Sequence, residues 1–372
     1  MGKIIAFFNH KGGVGKTTLV HNLGFILADR GYKVLLIDAD PQMNLTAAMY
    51  GLSTSIEYST DEDSKWSENT KKYISLSEHL NIELREIECN KTFFRIKSDK
   101  NEAGVIDLIS GDINLSIIEG DLFGVVKSKN ELTKNIPNKF ERAITKQKAN
   151  YDFIFIDTSP SGSSIINALM IMLSDYFIAP VSPSFFSLQA IDNLSTIFQN
   201  WNDLLKDYET TMGFKGISLR PKFLGLVVQM AKRFTSGNLK NEDTGNNQNS
   251  FSQSTEKWIV DLNVSVIKFQ KWAFNRDMSI SEEDFIKVFV NSKPFIIQKC
   301  CDFTPQLRSI AEKAAVPVVN LTQDLCKIHK DSNASVDIDN EGNQYAKSFK
   351  SISESYNTIA DGLIKLLTPN LT

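Results

Sequence analysis

The chain has 372 residues, enough for one large domain or two, and its 42% hydrophobic and 23% charged content is ordinary for a soluble globular protein. No apolar run approaches the ~20 residues that span a bilayer, and a formal charge of −3 does not mark a nucleic-acid binder. Cys89, Cys300, Cys301 and Cys326 form no C-x-x-C pair, and His10, His21, His79 and His329 lack metal-ligand spacing. A reduced, cytoplasmic protein without a structural metal is expected.

The first element is Ile4-Ile-Ala-Phe-Phe8, an apolar run that suits a strand buried on both faces of a parallel sheet. Residues 11–18 then read Lys-Gly-Gly-Val-Gly-Lys-Thr-Thr. The usual phosphate loop is G-x-x-x-x-G-K-[ST]. Gly15, Lys16 and Thr17 fit it, whereas His10 stands where the first glycine belongs. Gly12, Gly13, Val14 and Gly15 shape a turn whose N–H groups point at an anion, and Thr18 closes the motif. A helix from about Thr17 to Asp29 follows, and its N-terminal dipole favours a phosphate there. Lys16 is placed to reach the β- and γ-phosphates, and Thr17 to put its hydroxyl on Mg²⁺.

Lys33–Asp38 is the second buried strand, and it ends in Asp38-Ala-Asp40-Pro-Gln. Two carboxylates at the carboxyl end of a strand lie where ligands bind in open α/β sheets. Residues 53–104 have low apolar density and read as an insertion, with a helix near Ser75–Leu84 and a hairpin at 92–97. Tyr151-Asp-Phe-Ile-Phe-Ile-Asp157 is an apolar strand ending in aspartate, the pattern in which a carboxylate holds Mg²⁺. Helices are predicted at about Ser164–Leu173, Leu188–Trp201 and Pro305–Ala315, and strands at Tyr176–Val181 and Lys222–Gln229. A polar loop is predicted at about 235–256, and Val316–Leu321 reads as a short edge strand. Strands alternating with helices give an α/β fold with a doubly wound, mostly parallel sheet and helices on both faces, a P-loop NTPase in one domain over 1–372.

Tyr345, Phe349, Ile352, Tyr356, Ile359, Leu363 and Leu366 follow 4-3-4-3-4-3 spacing, an amphipathic helix over about 343–367. Packing against its own sheet is the commoner use of such a face; a dimer seam or a partner-binding helix are the alternatives. Its polar face lacks the Lys/Arg cluster of a membrane-surface helix. Between Lys215 and Lys313 there are 15 Lys+Arg against 10 Asp+Glu, a local excess of +5. That excess either neutralises phosphates or is merely solvated.

The order Lys11-Gly-Gly-Val-Gly-Lys-Thr-Thr, Asp38-Ala-Asp-Pro-Gln, then Tyr151–Asp157-Thr-Ser-Pro-Ser resembles the ParA/MinD family of deviant Walker ATPases, closest to the ParA and Soj partition type. The resemblance covers about 1–52 and 105–230. It implies that Lys11 contacts the phosphates of the opposite subunit in an ATP-bound homodimer. It implies Asp40 as the residue that polarises the attacking water, Asp38 as a switch aspartate near Mg²⁺, and Asp157 as the Walker B carboxylate. Gln229 stands where an adenine-contacting Asn or Thr often occurs, and Ser159-Pro160 replaces the family's Pro-Pro. Lys232 and Arg233 fall where some members bind DNA, and Lys268, Lys271 and Arg276 extend that candidate surface. The function implied is a slow ATPase and dimer switch that binds nonspecific DNA, with a protein partner that stimulates hydrolysis and no membrane role. A regulator directed at a protein partner without DNA is the second expectation. An iron–sulfur relative needs paired cysteines near the dimer axis, and none follows Asp157 closely. The loop beginning at residue 10 leaves no room before it for a helix-turn-helix, so operator-specific binding is not expected.

Overall fold

The computed structural model describes residues 1–51, 64–85, 89–128, 136–206, 219–232, 251–290, 292–329 and 336–367. Eight strands form one sheet: β1 Lys3–Phe7, β2 Lys33–Ala39, β3 Phe94–Lys97, β4 Val105–Ile109, β5 Phe153–Thr158, β6 Tyr176–Val181, β7 Lys222–Ala231 and β8 Ile296–Cys301. Their order is β3-β4-β2-β5-β1-β6-β7-β8. Every pairing is parallel except β3 with β4. The central strands β1, β5 and β6 are apolar on both faces because helices cover both sides, and Ile4, Phe7, Phe155 and Ile178 are fully buried. Each such side chain contributes roughly 1.5–3 kcal/mol.

Register then fixes the site. Asp157 sits beside Phe7 of β1 on one side and beside Asp38 of β2 on the other. The loop after β1 therefore emerges beside the acidic end of β5, with the acidic end of β2 one strand further on. Helix α1, Lys16–Asp29, runs back along the sheet from that loop. Helix α2, Asn44–Tyr50, follows the acidic end of β2, and α3 (Lys65–Lys72) and α4 (Leu76–Arg85) lie before β3. Helices α5 (Leu115–Ser128) and α6 (Ile136–Thr145) connect β4 to β5, and α7 (Ile165–Met172) connects β5 to β6.

Several expectations are corrected. The segment at 92–97 is not a hairpin in itself; its β3 portion is the antiparallel edge strand paired with β4. The helix expected at Leu188–Trp201 is two: α8, Phe185–Asp192, and α9, Leu194–Leu205. The end of the expected polar loop, 253–256, is the first turn of α10, Gln253–Phe274, capped by Ser252. Residues 233–250 lie outside the described residues, as do 53–63 and 86–88 of the expected insertion. Val316–Leu321 is not a strand: after Pro317 the chain makes a 3₁₀ turn at Val318–Asn320, and the Val319 N–H donates to Asn22 Oδ1 of α1. The edge strand on that side is β8, which follows α11, Glu282–Val288. Beyond β8 come α12 (Pro305–Ala314) and α13 (Gln323–His329).

The C-terminal helix α14, Gln344–Lys365, packs against β8 and α1. Ile352, Tyr356, Ile359 and Leu363 are fully buried, and Arg30, just past the end of α1, donates to Asp361 and Asn357 on its flank. The heptad face thus packs within the chain. At the opposite edge, fully buried Asp107 of β4 accepts two bonds from the Arg95 guanidinium of β3, at 2.7 and 2.6 Å, and a third from the Tyr151 hydroxyl. This fork ties the edge strand to the sheet. Arg95→Met should destabilise the chain by about 2 kcal/mol, because buried Asp107 loses two charge-assisted bonds and keeps only that from Tyr151, while Arg95 itself is more than half exposed. Urea denaturation checks this, and a loss under about 1 kcal/mol contradicts it.

Candidate functional site: an anion-binding loop at the carboxyl ends of β1, β2 and β5

Helix α1 starts without a side-chain cap. Its N-cap is Gly15 in the left-handed conformation (φ 81°), and the first intrahelical bond runs from Leu19 N–H to the Gly15 carbonyl. The N–H groups of Lys16, Thr17 and Thr18 precede that bond and are free to meet an anion. Helices α7, α8, α10, α11 and α12, by contrast, are capped by Ser164, Ser184, Ser252, Ser281 and Thr304. Gly13 (φ 70°) also adopts the left-handed conformation that lets the loop close. Lys16 is buried, and its Nζ donates to the Asn9 carbonyl at 3.2 Å. Burial holds its pKa below the ordinary lysine value, while Asp157 and Asp40 act the other way.

The three aspartates differ in how they are engaged. Asp38 accepts from Thr46 N–H (2.8 Å) and Thr46 Oγ1 (2.7 Å) on α2, and from Asp40 N–H. It anchors the loop that carries Asp40. Burial pushes its pKa to about 6, against the lowering effect of Thr46. Asp40 accepts from Gln42 N–H. Asp157 is buried and neither of its oxygens accepts a hydrogen bond of ordinary geometry, although the Thr17 hydroxyl stands close enough to favour its charged form. Burial, then the charge of Asp38, pushes its pKa up to about 8, with Thr17 and Lys16 opposing. A carboxyl with two open oxygens beside a threonine hydroxyl suits a hard cation bound partly by other oxygens, as Mg²⁺ is. Among the described residues no group of three His, Cys, Asp or Glu side chains forms a metal cage.

Lys11 lies in cis. Its Nζ donates to Ser184 Oγ at 2.9 Å and Ser182 Oγ at 3.2 Å, in the turn after β6, and stands 5.7 Å from the Phe186 ring. Phe185 and Phe186 are themselves exposed there. These serines lie 171 and 173 positions away, so sequence spacing gave no sign of them.

Beside the loop is a cavity of about 180 Å³, lined by Thr17, Thr18, His21, Phe303, Arg308 and Pro317 among others. A narrower recess joins Gly15 and Thr18 to Gln229, Met230, Asp302 and Phe303. Phe303 and Arg308 were missed from the sequence, because β8 was not recognised and its end not placed at the site. The order of β7 and β8 in the sheet puts them there.

Of the four basic candidates among the described residues, Lys232 stands apart from Lys268, Lys271 and Arg276. Lys232 follows the carboxyl end of β7. Arg276 lies by its amino end, where neighbouring Asp277 pairs with Lys222. Ten residues of strand separate those ends by about 30 Å. Lys268 and Lys271 are exposed on α10 toward the Arg276 end, and the Arg276 guanidinium stacks 4.4 Å from the Trp272 ring. Arg233 lies outside the described residues.

A uncapped helix start after a β1 glycine loop, faced by acidic ends of neighbouring strands, defines a P-loop NTPase fold. A family model described as an AAA domain matches residues 2–209, and the chain belongs to that family, of ParA/MinD partition-ATPase type. It is 35% identical over 199 residues to the sporulation initiation inhibitor protein Soj of Bacillus subtilis, covering 52% of this chain and 64% of that one. It is 37% identical over 189 residues to an uncharacterised Methanocaldococcus jannaschii protein, covering 50% and 62%. The chain thus spans less than two thirds of those relatives' lengths. The solved structure of pNOB8 ParA bound to nonspecific DNA shares the fold, with a TM-score of 0.53, 19% identity and coverage of 98% and 99%. Among the described residues no helix is long and apolar enough to cross a membrane.

Asp157 holds its proton to about pH 8 when folded, against an ordinary 3.8. Through this group the folded chain binds more protons than the unfolded one in that window, so Asp157 makes metal-free stability fall as pH rises from about 4 to about 8, while His21, whose pKa burial lowers to about 4, acts the other way below about 6.5. Asp157→Asn, neutral throughout, should flatten that slope in urea denaturation with a chelator present. An unchanged slope contradicts the assignment.

Proposed function

We propose that the chain is an ATP-dependent dimerisation switch with slow ATP hydrolysis. The observation that carries this reading is the uncapped start of α1, with Lys16 beside it, facing the two unpartnered oxygens of Asp157. In this reading the N–H groups of residues 12–18 cradle the phosphates and Lys16 neutralises them. Thr17 and Asp157, with Asp38 behind, hold Mg²⁺, which supplies charge neutralisation when bound. Asp40 polarises the attacking water. Catalysis of this kind rests on positioning and charge rather than covalent chemistry.

Lys11 acts in trans. It exchanges Ser182, Ser184 and the Phe186 face for phosphate oxygens of the partner's nucleotide. The nucleoside leaves the loop at Thr18 and enters the space walled by Phe303, Arg308 and Gln229. The dimer presents Lys232 and its neighbours to nonspecific DNA, as the likeness to the DNA-bound ParA suggests. A protein partner then stimulates hydrolysis and releases it.

A second reading, a regulator directed at a protein partner without DNA, is favoured by one observation. Lys232 and Arg276 stand at opposite ends of β7 and make no single patch.

Lys16→Ala should abolish ATP binding, read by titration of a fluorescent ATP analogue; wild-type affinity in that variant contradicts the site. Binding to random-sequence duplex DNA should require ATP rather than ADP and weaken steeply with salt. An ATP-dependent dimer that ignores DNA selects the second reading.

A further inference from the structure

Gln229 sits at a break in the sheet. The pairing of β7 with β8 shifts register between Val228 and Ala231, and Met230 between them has φ 56°, a left-handed backbone uncommon outside glycine. That turn sets the Gln229 side chain against the phosphate loop: a Cβ built on Gly15 would stand 3.4 Å from Gln229 Cδ. Gln229 is 4% exposed. Its Oε1 accepts from the hydroxyl of Tyr356 at 3.0 Å, and its Nε2 is buried without a partner. Tyr356 is fully buried in the middle of α14, 127 positions away, packed near Phe303 (ring centroids 6.1 Å apart).

An amide has one acceptor end and one donor end. With the acceptor taken by Tyr356, the donor is the end left for a ligand in the recess between Gly15, Thr18, Met230 and Phe303. A buried N–H without a partner is costly unless a ligand completes it.

We propose that Tyr356 is a positioning residue for nucleotide recognition: its hydroxyl holds the Gln229 amide so that Nε2 offers a donor to a ring-nitrogen acceptor of the purine. The C-terminal helix thereby takes part in reading the base without touching it. This rests on the nucleotide reading of the loop. In Tyr356→Phe the ring still fills its place, but the amide is free to rotate and offers either end.

The test measures binding of ATP, 1-deaza-ATP, 3-deaza-ATP and 7-deaza-ATP to the full chain. In the wild type one deaza analogue should bind about fivefold more weakly than ATP, the worth of one neutral hydrogen bond. Tyr356→Phe should reduce that ratio to below about twofold while its melting temperature reports that it is folded. Gln229→Met should lose the ratio too, and adding Tyr356→Phe to it should change the ratio no further. If Tyr356→Phe does not fold, Tyr356→Met, which also lacks the hydroxyl, replaces it: an unchanged ratio in that folded variant, or a retained ratio in Gln229→Met, overturns the proposal. Equal binding of all four nucleotides by the wild type, or an unchanged ratio in folded Tyr356→Phe, overturns the tyrosine's role and leaves the phosphate site standing. No ATP binding by the wild type overturns both.

Discussion

A buried carboxyl with no partner and a helix start with no cap face each other across the end of β1. Each is unfavourable alone: the Asp157 oxygens are cut off from water, and the first N–H groups of α1 have no acceptor of their own. A cation shared with an anion satisfies both at once. The sheet order serves this arrangement, since inserting β5 between β1 and β2 brings Asp157 level with Asp38 and with the start of the loop. The packed aromatic core around Phe177, Phe198, Phe223 and Phe269 gives the rigid base on which such an unsatisfied site can be held.

The other side of the site is built from the end of the chain. β8 supplies Cys301, Asp302 and Phe303 at its exit, α12 walls the cavity, and α14 lies across β8 and α1. Tyr356 joins that outer layer to the loop through Gln229. The C-terminal third of the molecule therefore forms part of the wall around the loop, although the family match ends at residue 209. Lys11, resting on its own Ser182 and Ser184, lies on the same face as exposed Phe185 and Phe186. A second copy approaching that face would meet apolar rings around a cation.

What was legible in the sequence was local. The loop, the aspartate-ended strands and the buried stripe of α14 are set by neighbours within a few residues, and the structure keeps them. α10 was legible but missed: Thr255, Ile259, Leu262, Val266, Phe269 and Ala273 repeat at 4-3-4-3-4 and are all buried. The polar segment before it and its β-branched valines obscured the period. β8 was hidden by the mixed polarity of Gln298 and Lys299 on an edge strand. The mistaken strand at Val316–Leu321 shows the converse, since its apolar residues serve α1 and α14 through a turn imposed by Pro317. The contacts of Lys11 with Ser182 and of Gln229 with Tyr356 join residues more than a hundred positions apart, and only sheet order brings them together.

The measurement that tests the central claim most directly is molar mass in solution, by light scattering, with ATP and Mg²⁺, with ADP, and without nucleotide, for the wild type and for Lys11→Ala. The account predicts a doubling of mass for the wild type with ATP alone, and a Lys11→Ala chain that still binds ATP but stays single. A wild type that remains single at saturating ATP, or a Lys11→Ala chain that doubles as the wild type does, would contradict it.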